Sequence, residues 1–278
     1  MAVTIALGTI GTACSQADDY VARSAPPEPT CETGCGLPGC PCPEGEKIPI
    51  VVGTASFAID ATEVTVEQYS RFLEVRGVLP DARAGDRCSF NESYEPVVAS
   101  VNVDPNCELS FDYRGFLAET PDRPVVCVDV CDARDYCSWV HGHLCGSVNE
   151  RTLGTADRAT SAEEWFLACG GTEQAYCYGA TFVREACNVG GSSHGAISVA
   201  VASIPECEGP APGLFDMNGN VNEWIDACDP SSDSPAFDAC YRVGGAFFQD
   251  DPSASRCDSG SLAFRSTLGN DNGFRCCY

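Results

Sequence analysis

The sequence predicts a single disulfide-stitched domain, in which a few short helices are set in largely irregular chain behind an exposed tether. Three observations carry this. Cysteine supplies 20 of the 278 residues, a density typical of secreted, loop-rich folds and foreign to a reducing cytosol. Glycine (27) and proline (18) punctuate the chain, so apolar runs such as Ile48 to Val52 and Tyr241 to Val243 stay short. Only three stretches show helical spacing.

In the first of these, Val64, Gln68-Tyr69, Phe72 and Val75 recur at helical intervals between Val64 and Val75. The second runs from Asp132 to Val140 with Asp132 as N-cap. The third begins at Ser161 in a Ser-x-x-Glu arrangement and turns Trp165, Phe166 and Ala168 inward. Ordering the remaining irregular chain costs conformational entropy, which cross-links partly offset. No internal repeat is visible.

A metal cluster is the alternative use of so many cysteines, but it calls for repeated C-x-x-C pairs. The spacing here is irregular and only three histidines are present, which favours disulfides. Local bracketing suggests Cys228 with Cys240, Cys177 with Cys187, Cys88 with Cys107, and Cys145 with Cys169. Other connectivities stay open, since sequence does not fix pairing. Adjacent Cys276 and Cys277 point to opposite sides of an extended chain and so take separate partners.

The small apolar stretch from Ala2 to Ala13 ends in Gly11-Thr12-Ala13-Cys14. It reads as an export segment over residues 1–14, of the bacterial lipoprotein type with Cys14 lipidated, in preference to a short buried segment. Residues 15–47 read as a Pro/Gly/Cys-rich acidic tether, pinned by one or two disulfides among Cys31, Cys35, Cys40 and Cys42. Residues 48–278 suffice for one domain with a substantial core. The expected location is therefore secreted or lipid-anchored at a bacterial cell envelope. No apolar run approaches the ~20 residues that cross a bilayer. Forty acids against sixteen bases leave a net charge of -24, which argues against nucleic acid and anionic lipid as partners. The same charge suits solubility and calcium.

The most distinctive wording is Gly213-Leu214-Phe215-Asp216-Met217-Asn218-Gly219-Asn220-Val221-Asn222-Glu223-Trp224, then Gly244-Gly245, then Gly273-Phe274-Arg275-Cys276. Upstream stand Glu63-Val64-Thr65 with Gln68-Tyr69 and Phe72, Pro124-Val125-Val126 through Asp132-Ala133 to Tyr136-Cys137 and Trp139, and Ser161 to Trp165. Together these resemble the formylglycine-generating enzyme (sulfatase-modifying factor) family over residues 48 to 278. The resemblance implies a C-type-lectin-like α+β fold. It also implies a structural calcium held by Asp216, Gly219, Val221 and Glu223, two side chains and two backbone carbonyls converging from one loop. The alternative for that loop is an Asx-turn without an ion. A second implied calcium site begins at Asn188-Val189, without an evident acidic partner in residues 190–202.

Catalysis in the family rests on two cysteines after G-G-S that bind copper(I), a soft ion suited to paired thiolates, and oxidise a sulfatase cysteine in C-x-P-x-R to formylglycine. Here Gly244-Gly245-Ala246-Phe247-Phe248 is followed by Gln249 at the first cysteine position. The second falls at Ala254 by direct count, or at Cys257 when counted back from Arg265-Ser266. Cys257 is thus the one candidate thiol, and a disulfide to Cys276 or Cys277 is its simpler fate. His141, His143 and His194 suggest surface or capping roles, and no nucleophile elbow or phosphate-cradling loop is present.

Two functions follow from the resemblance. One is an extracellular binding or structural module for a glycan, peptide or cell-wall fragment, with a recognition face at Phe247, Phe248, Gln249, Asp250, Asp251 and Arg265, at least one of the two phenylalanines being core. The other is the copper- and oxygen-dependent oxidase acting through Cys257.

Overall fold

The computed structural model describes residues 31, 34–36, 39–76, 87–96, 107, 120–149 and 153–278. The expected export segment 1–14, with Cys14, and the first half of the tether lie outside the described residues. Two four-stranded sheets organise the chain. In the first, β1 (Lys47–Val52) and β2 (Ala55–Asp60) form an antiparallel hairpin, and β8 (Cys276–Cys277) lies between β2 and β3 (His143–Leu144). In the second, β4 (Asn222–Asp229) pairs antiparallel with β5 (Ala239–Val243), β5 with β6 (Gly260–Phe264), and β7 (Asn272–Phe274) runs parallel to β4. With three short α-helices among the described residues this is an α+β arrangement, rich in irregular chain and disulfides. Residues 272–277 serve both sheets in succession.

The first helix, α1 (Val66–Arg76), follows reciprocal hydrogen bonds in which Gln68 N–H donates to Thr65 Oγ1 and Thr65 N–H donates to Gln68 Oε1. That Thr-x-x-Gln box satisfies two donors that the helix start would otherwise orphan. Its inner face sets Val66, Tyr69 and Phe72 into an aromatic core with Tyr94, Tyr136, Trp139 and Phe274. Phe72 stands 5.0 Å from the Tyr94 ring and 5.6 Å from the Trp139 ring, within the range where tilted aromatic pairs attract.

The second helix, α2 (Val130–Trp139), starts earlier than its sequence suggests: Asp129 is the N-cap, and Asp132 is the N3 partner of a capping box. Asp129 accepts from the N–H groups of Cys131 and Asp132, and Asp132 accepts from Asp129 N–H. Burial pushes the Asp129 carboxyl up to about 7, despite these backbone donors. The third helix, α3 (Glu164–Cys169), begins three residues later than the Ser-x-x-Glu pattern implies. Glu163 bends back to accept from Ala159 N–H, which holds residues 159–163 as a turn before the helix. Trp165, Phe166 and Ala168 point inward as their spacing requires, into a second core with Leu214, Met217 and Ile225.

Nine disulfides join the described cysteines. Cys228–Cys240 matches the sequence expectation, because it spans directly paired residues of β4 and β5. The other local brackets are corrected. Cys88 bonds Cys131 and Cys107 bonds Cys127; Cys145 bonds Cys277 and Cys169 bonds Cys257; Cys187 bonds Cys207 and leaves Cys177 as a buried free thiol. Proximity along the chain misleads here because strands and helices bring distant residues closer than loops bring near ones. Cys276 and Cys277 do take separate partners, Cys137 on α2 and Cys145 after β3. Cys31–Cys40 and Cys35–Cys42 pin the end of the tether. No described helix is long and apolar enough to cross a membrane.

Asp60 closes β2 against the C-terminal strand, accepting from Cys276 N–H at 2.9 Å and from the Tyr278 hydroxyl at 3.0 Å. Burial pushes its carboxyl up to about 6, with those donors, Arg275 and Lys47 opposing the shift. A carboxyl raised in the folded state binds more protons there than in the unfolded chain, so its contribution is full below about pH 4 and is lost as pH rises through about 6. Asp60→Asn should therefore flatten the fall in stability between pH 4 and pH 8 by on the order of 3 kcal/mol. Urea unfolding of both proteins at the two pH values checks this; identical slopes would contradict it.

Candidate functional site

The segment 213–224 is folded inward by a run of left-handed residues, with Asp216, Gly219 and Asn220 at φ values of 58, 77 and 55°. Gly219 is obligatory: a Cβ there would meet the Asn188 carbonyl oxygen at 2.5 Å. This close approach makes Asn220 the hub of a buried network. Its amide donates to Glu63 Oε1 and to the Val199 carbonyl, and its Oδ1 accepts from Asn188 Nδ2 and Val199 N–H. Asn218 braces the opposite side, accepting from Cys177 N–H and donating to the Ser255 carbonyl.

Beneath the loop, Arg275 and Glu223 form a fully buried bidentate ion pair, Nε to Oε2 and a terminal nitrogen to Oε1, both at 2.7 Å. Trp165 Nε1 also donates to Glu223 Oε2, at 2.9 Å. The remaining guanidinium protons reach the Asp60 and Phe215 carbonyl oxygens. Asp216 accepts from Ala202 N–H at 2.6 Å, and burial pushes its carboxyl up to about 6. Burial, reinforced by the charge of Asp216, pushes Glu63 well above the usual carboxylate range.

Sequence reasoning placed Asp216, Gly219, Val221 and Glu223 around a calcium ion, and the structure does bring them into one loop. The donor set does not fit that ion as arranged. Both oxygens of Glu223 are committed to Arg275 and one also to Trp165, so its charge is already balanced by a guanidinium. At the second implied site, Asn188 spends its amide on Ile197 and Asn220. Asn188 Oδ1 and Glu63 Oε2 are buried without hydrogen-bond partners, but two free side-chain oxygens supply only part of the six to eight that calcium takes. The Val189 side chain is buried in the core, so the oxygen it can offer is its backbone carbonyl. Arg275 stands in the Gly273-Phe274-Arg275-Cys276 motif, and sequence alone assigns it no role. Its signal was a cation flanked by Phe274 and Cys276, where burial demands a carboxylate.

The copper positions are occupied differently. Gln249 Oε1 accepts from Ala246 N–H at 2.7 Å and Gln249 N–H donates to the Ala246 carbonyl, so the side chain locks a turn. Gly245 is needed beneath it, because a Cβ would sit 2.7 Å from Ser255 Oγ. Cys257 is buried and bonded to Cys169, not to Cys276 or Cys277. Gln249 and a disulfide sulfur do not make a thiolate pair, so these residues do not fit copper(I).

Of the expected recognition face, Phe247 is buried and Phe248 is 55 % exposed, with their rings 5.4 Å apart. Asp250 and Asp251 are exposed beside them, and Asp251 caps the following turn by accepting from Ser253 N–H. Arg265 lies elsewhere in the network: it is buried and ion-paired to Asp238 at 3.0 Å. Burial alone would raise the Asp238 carboxyl, but donors from Arg87, Ser231 N–H and Arg265 hold it below its ordinary value. Arg265 is thus a strut and not a displayed contact. The histidines bond structural partners: His143 pairs with Glu164, His141 with the Cys35 carbonyl, and His194 with the Glu185 carbonyl.

Comparison with known proteins agrees with this fold. The model of the sulfatase-modifying factor enzyme 1-like domain matches residues 41–278. Among solved structures, CarF is similar at a TM-score of 0.51 and 17% identity, covering 84% of this chain and 98% of that one. PvdO from Pseudomonas aeruginosa is similar at 0.50 and 19%, covering 84% and 91%. At such identities the likeness shows the fold alone. No curated protein sequence matches the chain.

Replacing Arg275 by Met would strand Glu223 beside Asp216 and Glu63, and should cost about 3–5 kcal/mol. The paired change Arg275→Met with Glu223→Gln should recover a large part of that loss. Millimolar calcium or a chelator should leave the wild-type unfolding midpoint unchanged. A midpoint that follows calcium would restore the ion to the loop.

Proposed function

The chain belongs to the sulfatase-modifying factor enzyme 1-like domain family, and from that premise we propose that it works outside the cytoplasm as a binding module rather than as a copper oxidase. One observation carries this reading: the last thiol available at the family's copper positions, Cys257, is bonded to Cys169, and Gln249 is spent on its own turn. Nine disulfides support an oxidising location, where that bond persists. Secretion, or anchoring through a lipidated Cys14, supplies such a location.

The family scaffold then serves as a frame on which surface loops vary. The turn that carries Phe248, Asp250 and Asp251 presents an exposed aromatic ring beside two carboxylates, a combination suited to a glycan, a peptide or a cell-wall fragment. The frame beneath it is rigid, because Gly190 N–H donates to the Gln249 carbonyl and Tyr176 donates to the Pro252 carbonyl.

The alternative activity, oxidation of a C-x-P-x-R cysteine with copper and oxygen, would need Cys257 released from Cys169 and a second thiolate. Natively oxidised protein incubated with copper(I), oxygen and such a peptide should consume no more oxygen than copper and peptide alone. Peptide oxidation that depends on the protein would overturn the binding reading. In parallel, Phe248→Ser should change stability by no more than about 0.5 kcal/mol, as surface substitutions usually do. The same change should abolish retention on an array of glycans and cell-wall fragments that holds the wild type.

A further inference from the structure

A cleft of about 870 Å³ lies between residues 39–46 and α1, and the turn at Phe248 contributes none of its lining. Its size is in the upper part of the range of ligand sites. One wall is the end of the tether, and that wall is built rather than loose. Cys31–Cys40 and Cys35–Cys42 tie it internally. Trp139 Nε1 donates to the Cys31 carbonyl at 2.7 Å, Gln68 Nε2 to the Glu44 carbonyl at 2.6 Å, and Ala61 N–H to the Glu46 carbonyl at 2.9 Å. Facing it, α1 presents its outer residues, and apolar groups that include Val75, Val201 and Phe215 line the interior.

The charge around this apolar interior is one-sided. Among the described residues, Glu44, Glu46, Glu67, Glu74 and Asp122 line the cleft against one cation, Arg71, a formal balance of one minus five, or -4. Arg71 is itself 3.8 Å from Glu74, so those two charges largely offset each other and the other carboxylates set the sign of the field. Exposed carboxylates spread around an open cleft do not converge as the oxygens of a metal site must. They do concentrate a flexible polycation, while the apolar interior takes the methylene stems of lysine or arginine. Anionic glycans and nucleic acids are repelled. A thin linear polyamine would leave most of the volume to water, whereas several residues of peptide fill it.

We infer that this cleft binds an extended peptide segment bearing several lysine or arginine side chains, lodged between the disulfide-pinned residues 39–46 and α1. The site is independent of the copper positions and of the Phe248 turn, so it stands whether or not the reading above does.

The test is fluorescence anisotropy with a labelled octalysine probe at physiological salt. Because the whole chain is acidic, specificity is read from two variants with the same charge change. Glu44→Gln/Glu67→Gln/Glu74→Gln should weaken binding at least about tenfold, while Glu92→Gln/Glu173→Gln/Asp233→Asn, outside the cleft, should change it by no more than about twofold. Val201→Trp, which fills the interior without altering charge, should also weaken binding about tenfold. Three results would overturn the proposal: equal loss in both triple variants, undiminished affinity in folded Val201→Trp protein, or spermine binding as tightly as the peptide.

Discussion

The buried pair between Arg275 and Glu223 is the constraint around which the rest of the molecule is arranged. Arg275 sits between β7 and β8, and so between the two sheets, while Glu223 lies on β4. Two opposite charges removed from water are tolerated only when each has its full set of hydrogen bonds. The guanidinium therefore dictates where the Asp60 and Phe215 carbonyl groups must lie, and Glu223 dictates the position of Trp165 on α3. One ion pair thus fixes the relation of a hairpin, a helix and both sheets, a degree of specification that apolar packing of the same volume would not impose.

The surrounding acids acquire their properties from this arrangement. Glu63, Asp216 and Glu223 share a single buried guanidinium, and Arg275 bonds only Glu223 among them. Glu63 and Asp216 are left to hold their protons more tightly than exposed carboxyls do. Asn220 then carries hydrogen bonds from Glu63 to Asn188 and to the Val199 backbone without adding charge. Much of the cost of burying polar groups is met locally, by side-chain amides and turned-in backbone.

Much of this architecture was legible in the sequence, and the rest was not for identifiable reasons. Helices α1 and α2 announced themselves through apolar periodicity, because each buries one face against the aromatic core. Their caps were read less well: Asp129 and Asp132 are both acids in the right register, and periodicity cannot tell the N-cap from its N3 partner. Cys228–Cys240 was legible because it crosses a hairpin, where sequence neighbours are spatial neighbours. Cys169–Cys257 and Cys137–Cys276 were not, since their closeness is created by tertiary packing over separations of 88 and 139 residues. The loop 213–224 is the most distinctive wording of the sequence, yet local wording shows only the acids it contains. The cation that balances them comes from a separate strand. Arg265 failed as a surface contact for a related reason, because its partner Asp238 is exposed by sequence context and buried by fold.

The double duty of residues 272–277 has a consequence for biogenesis. Neither sheet holds its full set of strands, and two of the longest disulfide spans stay open, until this stretch has emerged from the ribosome. The preceding chain therefore spends its synthesis without a completed sheet, awaiting contacts of high sequence separation, the kind that form slowly. Such a nascent chain is well matched to a route that moves polypeptides unfolded across a membrane and supplies oxidant only afterwards. The order of assembly would then be set by compartment as much as by sequence.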